Sequence, residues 1–356
     1  MLAVATGIDS GQRIGRYQPI RRLAVGGMAE IFLARVPGLG IEGFEKLVVL
    51  KRILPQHALD PELLRMFLDE ARLSATLTHP HVIEVYDVGA VGDAPFFSME
   101  YVHGANVREM LRAQSRREGT DAKTVNAPLP LAHAITIVAA AAEGLHYAHE
   151  RLGPGGEPLG IVHRDVSLKN IMIAFEGDVK LTDFGIAKAR GFLTDQEGEV
   201  VAGKADFMSP EQADFQITDK RSDLFSAGVV LAHLLLGRNI FKGPTAEESR
   251  QRILTLPVPD FRALDSRVDD RLNEILHSCL SRDLKKRYPD ADKLLYELEH
   301  YIYHTGYGPT NETLGKYIRD LFGQNIPAAS VTEDARGATQ VLEHTVRAHE
   351  KGKQVK

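Results

Sequence analysis

The feature that most restricts this chain is a pair of charged clusters separated by a fixed interval. His163-Arg164-Asp165-Val166-Ser167-Leu168-Lys169-Asn170 is followed, after twelve residues, by Asp183-Phe184-Gly185. Two short apolar runs, Ile171–Phe175 and Val179–Leu181, fill the interval and read as strands. Either cluster alone is weak evidence, because solvated charged turns are common and Asp-Phe-Gly is only three residues. With a strand pair between them, chance is a poor account.

Composition narrows the class without deciding it. The 356 residues carry a net charge of −5 with no basic stripe, which gives no reason to expect nucleic acid as a partner. The single cysteine, Cys279, cannot form an internal disulfide and sits in an apolar helical pattern (Leu272, Ile275, Leu276, Leu280), as an inert buried thiol does. The run Leu131–Ala148 is interrupted by His133, Glu143, Gly144 and His146, so it reads as a buried helix behind Pro130 and not as a membrane span. The apolar run Leu2–Ala5 is too short for a signal peptide, and the expected compartment is the cytoplasm.

Along the chain, residues 1–16 read as a loose leader. Short β-rich runs follow at Tyr17–Leu23, Ala29–Val36 and Leu47–Ile53. Asp60-Pro61 opens a helical stretch to Thr78, with Leu63, Phe67, Ala71 and Ser74 on one face and Glu70 beside them. Two more strands are expected near Ile83–Val88 and Pro95–Tyr101. Beyond Gly104 the pattern is mainly helical, with loops at 112–129 and 153–160 and with Gly228, Gly237 and Pro244 as punctuation. The expected organisation is α+β: a small β-rich lobe (17–100), a hinge (100–104) and a larger helical lobe (105–303). A tail follows (304–356), with an amphipathic helix at 312–323 built on Leu314, Tyr317, Ile318 and Leu321.

The two clusters resemble the catalytic loop and metal-binding loop of protein kinases. Roughly residues 17–303 share the resemblance, and the motifs are most similar to bacterial members of the eukaryotic-like serine/threonine kinase family. It implies the bilobal kinase fold and transfer of the γ-phosphate of ATP to protein hydroxyls with Mg2+. Asp165 then orients the substrate hydroxyl, while Asn170 and Asp183 hold the metal as hard oxygen ligands. Val48-Val49-Leu50-Lys51 resembles the strand whose lysine grips the α- and β-phosphates, and Glu70, nineteen positions later, matches the family's ion-pair partner. Leu23 to Ile31, with Gly26-Gly27-Met28, resembles the ATP-covering loop. By the same carry-over Ile31, Val49 and Met172 sandwich the adenine, Glu100 and Val102 offer backbone groups to its edge, and Met99 is the gatekeeper. Met208-Ser209-Pro210-Glu211 resembles the end of the activation segment, with Arg287 as the ion partner of its glutamate and Asp223 as the brace of the catalytic loop.

Three departures from the family pattern stand out. Ala24 and Ala29 stand where the first and third loop glycines are expected. Ser167 replaces the lysine two after the catalytic aspartate, and Lys204 follows Gly203 where threonine is usual. One charge pair at ~4 Å is worth about 4 kcal/mol at an effective dielectric of ~20, too much to lose without a substitute. Either Lys169, four after Asp165, replaces the missing lysine, or Ser167 and Lys204 have exchanged hydroxyl and ammonium; Lys204 pointing to solvent is the plain alternative. Thr194 is the only hydroxyl residue between Phe184 and Ser209 and is the candidate for autophosphorylation, with Asp195, Glu197 or Glu199 as substitute anions beside Arg164. A nucleotide-binding pseudokinase scaffold and a kinase of dual Ser/Thr and Tyr specificity are the alternative functions. The protein substrate and the oligomeric state are not legible.

Overall fold

Glycine-punctuated β-branched and aromatic runs at the start of the chain form a sheet, and Ala- and Leu-rich runs further on form helices, as their propensities favour. The structure is a computed structural model that describes residues 13–37, 45–120, 126–184 and 205–323. These fall into two compact units. One holds the described residues of 13–60 and 86–103; the other holds 61–85 and those of 104–323.

The first unit is built on strands β1 (Gln18–Val25), β2 (Ala29–Pro37) and β3 (Glu45–Ile53), then the short helix α1 (Pro55–Ala58), then β4 (Val85–Val91) and β5 (Ala94–Glu100). The sheet order is β1-β2-β3-β5-β4, with antiparallel pairing from β1 through β3 to β5. Because side chains alternate across a strand, one face buries Phe32, Ala34, Val48, Leu50 and Phe96 together with Tyr17 and Ile14. Ile14, within the stretch 1–16, is 1% exposed, and its backbone exchanges hydrogen bonds with Tyr17. The Tyr17 hydroxyl lies 2.8 Å from Ser98 Oγ and donates to Asp87 Oδ2 at 3.0 Å, satisfying a polar tip sunk in this core.

The second unit carries helix α2 (Pro61–Ser74), strand β6 (Gly104–Asn106) and helices α3 (Val107–Arg117) and α4 (Leu131–His149). The hairpin β7 (Ile171–Ala174) and β8 (Val179–Leu181) follows. After it come α5 (Pro210–Ala213), α6 (Arg221–Leu236), α7 (Ala246–Thr255), α8 (Asp270–Cys279), α9 (Ala291–Tyr303) and α10 (Asn311–Phe322). β6 joins the hairpin in a three-stranded sheet. The helix expected behind Pro130 is α4, with Ala134, Ile135, Val138, Ala142 and Leu145 buried along it.

Two sequence expectations are corrected here. Residues 112–129 do not form one loop: α3 runs to Arg117 from a capping box between Asn106 and Glu109. Its arginines and glutamine are good helix formers, and Met110, Leu111 and Gln114 turn inward, so polarity marked a solvated face and not a break. Gly228 does not interrupt a helix. It lies inside α6, where a Cβ would stand 2.6 Å from the Cβ of Cys279, so glycine there permits close packing of α6 on α8. Gly237 does terminate α6, as a left-handed cap with φ of 69°. Cys279 is fully buried, and desolvation pushes its thiol up to about 12. No helix among the described residues is long and apolar enough to cross a membrane.

Candidate functional site

In the first unit, strand register decides which expected residues share a face. Ile31 stands opposite Lys51 and Leu33 opposite Val49, while Lys51 faces Phe97 and Val49 faces Met99. Cross-strand partners and alternate residues lie on the same side of a sheet. Ile31, Val49, Lys51 and Met99 therefore occupy the face opposite the Tyr17 core. Lys51 is only 9% exposed, and its Nζ lies 5.7 Å from the centroid of the Phe97 ring. Glu100 ends β5, and Val102 just beyond it is buried. Leu23 is exposed on β1, and Gly26 and Gly27 sit at the exposed β1–β2 connection, where the Gly26 amide donates to the Ala29 carbonyl at 2.8 Å. Neither glycine has positive φ, and neither do Ala24 and Ala29. The two alanines therefore occupy ordinary backbone, and their methyl groups carry no conformational penalty.

In the second unit, Glu70 is buried on α2 with Phe67, Ala71 and Ser74. The segment His163–Asn170 buries Val166 and Leu168, and hydrogen bonds fix its backbone. Asp223, near the start of α6 and 1% exposed, accepts from the backbone amides of His163 at 2.8 Å and Arg164 at 2.7 Å; its Oδ2 also lies 2.8 Å from His149 Nε2. Burial alone would raise the Asp223 carboxyl, but the His149 ring, His163 and the amide bond together hold it below the usual carboxylate range. These contacts sustain an otherwise unfavourable backbone at Arg164, whose φ is 60°; Asp183 also has positive φ, 58°. Non-glycine residues in that region each cost about 1–3 kcal/mol and concentrate where function demands a fixed geometry.

Asn170 donates from Nδ2 to the Asp165 carbonyl at 3.0 Å, which commits the nitrogen end of the amide and leaves its oxygen end to act as acceptor. The Thr182 amide donates to the Asn170 carbonyl at 3.0 Å, so Asn170 and Asp183 stand at the two sides of the mouth of the β7–β8 hairpin. His163 is fully buried, its ring packs 4.4 Å from that of Phe184, and its Nε2 lies 3.2 Å from the Thr182 carbonyl. Ser167 accepts the Asn170 amide through its carbonyl, Lys169 is exposed, and Met172 lies on β7 opposite Lys180. The amide oxygen of Asn170 and the carboxylate of Asp183 are the hard oxygen donors that suit Mg2+. Among the described residues no three His, Cys, Asp or Glu side chains group as a metal cage, and a metal held largely by phosphate oxygens does not need one.

The expected ion pair is present: Arg287 donates to Glu211 at 2.6 Å and 3.1 Å, with Ser222 Oγ adding a third bond at 2.7 Å. Burial works to raise the Glu211 carboxyl, and the guanidinium overcomes it and holds the group low. Two further ties escape the sequence reading. His149 has no local signature among the fourteen histidines. Gln212 Nε2 donates to the Arg164 carbonyl at 3.0 Å, and its signal was available in the capping-box spacing Ser209-x-x-Gln212. Arg164 donates from Nε to Thr218 Oγ1 at 3.1 Å. Thr194 and Lys204 lie outside the described residues. Glu70, Asp165, Ser167, Lys169, Asn170, Met172 and Asp183 thus belong to one unit; Lys51 and the other expected nucleotide-binding residues belong to the other.

Residues 23–297 match the family described as protein kinase domain. A tyrosine-protein kinase of Myxococcus xanthus, MasK, is 36% identical over 313 residues, covering 88% of this chain and 47% of MasK. The serine/threonine-protein kinase PrkC of Bacillus subtilis is 32% identical over 80% of this chain and 40% of its own. The chain therefore spans less than half the length of either relative. The crystal structure of the Mycobacterium tuberculosis PknI kinase domain superposes with a TM-score of 0.60 at 25% identity, covering 83% of this chain and 99% of that one.

Proposed function

The chain belongs to the protein kinase family, and on that premise we propose that it transfers the γ-phosphate of ATP, with Mg2+, to serine and threonine hydroxyls of protein substrates, itself among them. The observation that carries the reading is the braced loop of the second unit. There Asn170 is tied to the Asp165 carbonyl and the strained backbone at Arg164 is fixed by Asp223. Asp165 accepts and orients the proton of the incoming hydroxyl, and the rigidity of its loop supplies the positioning on which this chemistry depends. Asn170 and Asp183 offer the oxygens that hold Mg2+, which when bound neutralises charge on the phosphates. Lys51 contributes a cation for the α- and β-phosphates, and Glu70 is the carboxylate that the family pairs with that lysine. Leu23, Gly26, Gly27, Ile31, Val49, Met99, Glu100, Val102 and Met172 form the proposed nucleotide contacts. Lys169 or Lys204 supplies the ammonium that Ser167 lacks, and Thr194 is the proposed autophosphorylation residue.

Labelled ATP and Mg2+ with a generic basic protein substrate test the reading. Wild type should transfer label and Asp165→Asn should lose it, by about 10²–10⁴-fold for removal of a positioned base. Equal label from both would favour a nucleotide-binding scaffold. A second reading, transfer to tyrosine as well, is favoured by the relative MasK, which is described as a tyrosine-protein kinase, and by Lys169, four after Asp165. Phosphoamino-acid analysis of the labelled substrate separates the two. Intact mass after incubation with MgATP, for wild type and Thr194→Ala, tests the modification; an unchanged phosphate count removes Thr194.

A further inference from the structure

The helix α10 begins fourteen residues beyond the end of the family match at residue 297, yet it is wedged against the hairpin that separates Asn170 from Asp183. Arg319 Nη1 donates to the carbonyl of Phe175, the first residue after β7, at 2.6 Å. Asn311 Nδ2 donates to Asp178 Oδ1 at 3.0 Å on the far side of the same turn. The rings of Phe322 and Phe175 meet edge to face at 5.6 Å. Two glycines let the backbones approach this closely. A Cβ on Gly177, whose φ is +103°, would fall 1.8 Å from the Asn311 carbonyl oxygen, and one on Gly315 would fall 2.5 Å from that of Glu176. The opposite side of α10 is anchored independently. Tyr317 stacks on His133 at 4.5 Å, and its hydroxyl donates to Gln114 Oε1 at 2.9 Å. The helix thus bridges α3 and α4 to the hairpin turn and fixes that turn from outside.

We propose that α10 is a positioning element for the metal ligands, with Arg319 as its main positioning residue; this rests on the reading of Asn170 and Asp183 as Mg2+ ligands. Phe175 lies five positions from Asn170, and Asp178 five from Asp183; five positions of extended chain span about 17 Å, so the contacts of α10 with the turn do not touch the reacting atoms. What α10 controls is the tilt of a hairpin whose mouth, closed by the Thr182–Asn170 bond, sets the separation of the two ligands. Groups behind metal ligands typically change metal affinity or activity by about 10–100-fold when removed, because they fix ligand orientation.

The test compares Arg319→Ala, Gly315→Ala and the exposed-face control Lys316→Ala in the full chain, each measured for thermal unfolding and for phosphate transfer against Mg2+ concentration. Gly315→Ala is informative because alanine strengthens the helix itself while blocking its seat on Glu176. Arg319→Ala and Gly315→Ala should raise the Mg2+ concentration for half-maximal rate by about tenfold, with the protein-substrate KM unchanged and Lys316→Ala like wild type. Arg319→Lys, which keeps a donor for the Phe175 carbonyl, should recover part of the loss and remains measurable if the alanine variants fold poorly. A lowered melting temperature with the Mg2+ requirement unchanged would reduce α10 to a structural support and overturn the proposal. A wild-type chain that transfers no more label than Asp165→Asn would instead remove the functional reading, and this inference with it.

Discussion

The face of the sheet that presents Ile31, Val49, Lys51 and Met99 and the loop His163–Asn170 reach their geometry by different means. On the sheet, register and alternation suffice: once Val49 pairs with Leu33 and Met99, each neighbour's side follows. The loop has no such periodicity. Its backbone passes through φ of 60° at Arg164 because Asp223 accepts two successive amides and Gln212 caps the Arg164 carbonyl. A periodic surface spreads its energy over many small terms, so single substitutions there are absorbed. A loop held by a few buried polar groups concentrates it, and loss of one group leaves several others without partners.

The sharpest way to break this comparison is Asp223→Ala. It strands two amides and the Nε2 of His149 in a buried site, and loss of a buried charged partner typically costs about 3–5 kcal/mol. Denaturant unfolding should report that loss, and phosphate transfer should fall with it as the loop relaxes. A variant that unfolds and turns over like wild type would mean that the loop holds itself.

Next in size is the Glu211–Arg287 pair, where pH gives a directional test. The Glu211 carboxyl is held below its ordinary range in the folded chain, so its stabilisation is present above that range and is lost as pH falls toward the folded value. In Arg287→Met the carboxyl keeps its burial but loses the guanidinium, and its pKa should rise. The sign then reverses: the variant, weaker by about 3–5 kcal/mol at neutral pH, should lose stability as pH rises through the shifted value. Urea midpoints of both proteins across the acid range measure this. Parallel pH profiles would show that the ion pair is not what holds Glu211 low.

The legible parts of the sequence follow the same division. Strand periodicity gave β2, β3, β7 and β8 to within a residue or two, and the spacing of Phe67, Ala71 and Ser74 gave the buried face of α2. The motif residues Asp223, Glu211 and Arg287 were legible because their spacing is tied to the resemblance. His149 was not, since a buried histidine on an apolar helix looks the same with or without a partner 74 residues away. The helical end of α3 was obscured because arginines on a solvated helix face read like a loop. The spacing of Leu314, Tyr317 and Ile318 indicates an amphipathic helix, but periodicity does not say what such a helix packs against.

Within the first unit a smaller polar term is the Tyr17 hydroxyl, buried against Ser98 and Asp87. Tyr17→Phe keeps the edge-to-face contact with Phe96 at 5.8 Å and removes the hydrogen bonds. It should cost about 1 kcal/mol of unfolding free energy and leave turnover unchanged. A loss as large as that of Asp223→Ala would erase the contrast between the two regions.

The smallest effect is expected where the sequence departs most visibly from the kinase pattern. Ala24 pairs with Ile31 and Ala29 with Ile53, both at negative φ, and neither Gly26 nor Gly27 uses the freedom that glycine alone possesses. Restoring glycine at 24 and 29 therefore relieves no strain. Glycine in a strand costs about 0.5–1 kcal/mol in conformational entropy, so Ala24→Gly/Ala29→Gly should be slightly less stable, with the KM for ATP unchanged. A fall in that KM would mean that the connection must bend in ways the alanines resist, and that this edge of the sheet, like the loop His163–Asn170, depends on individual residues.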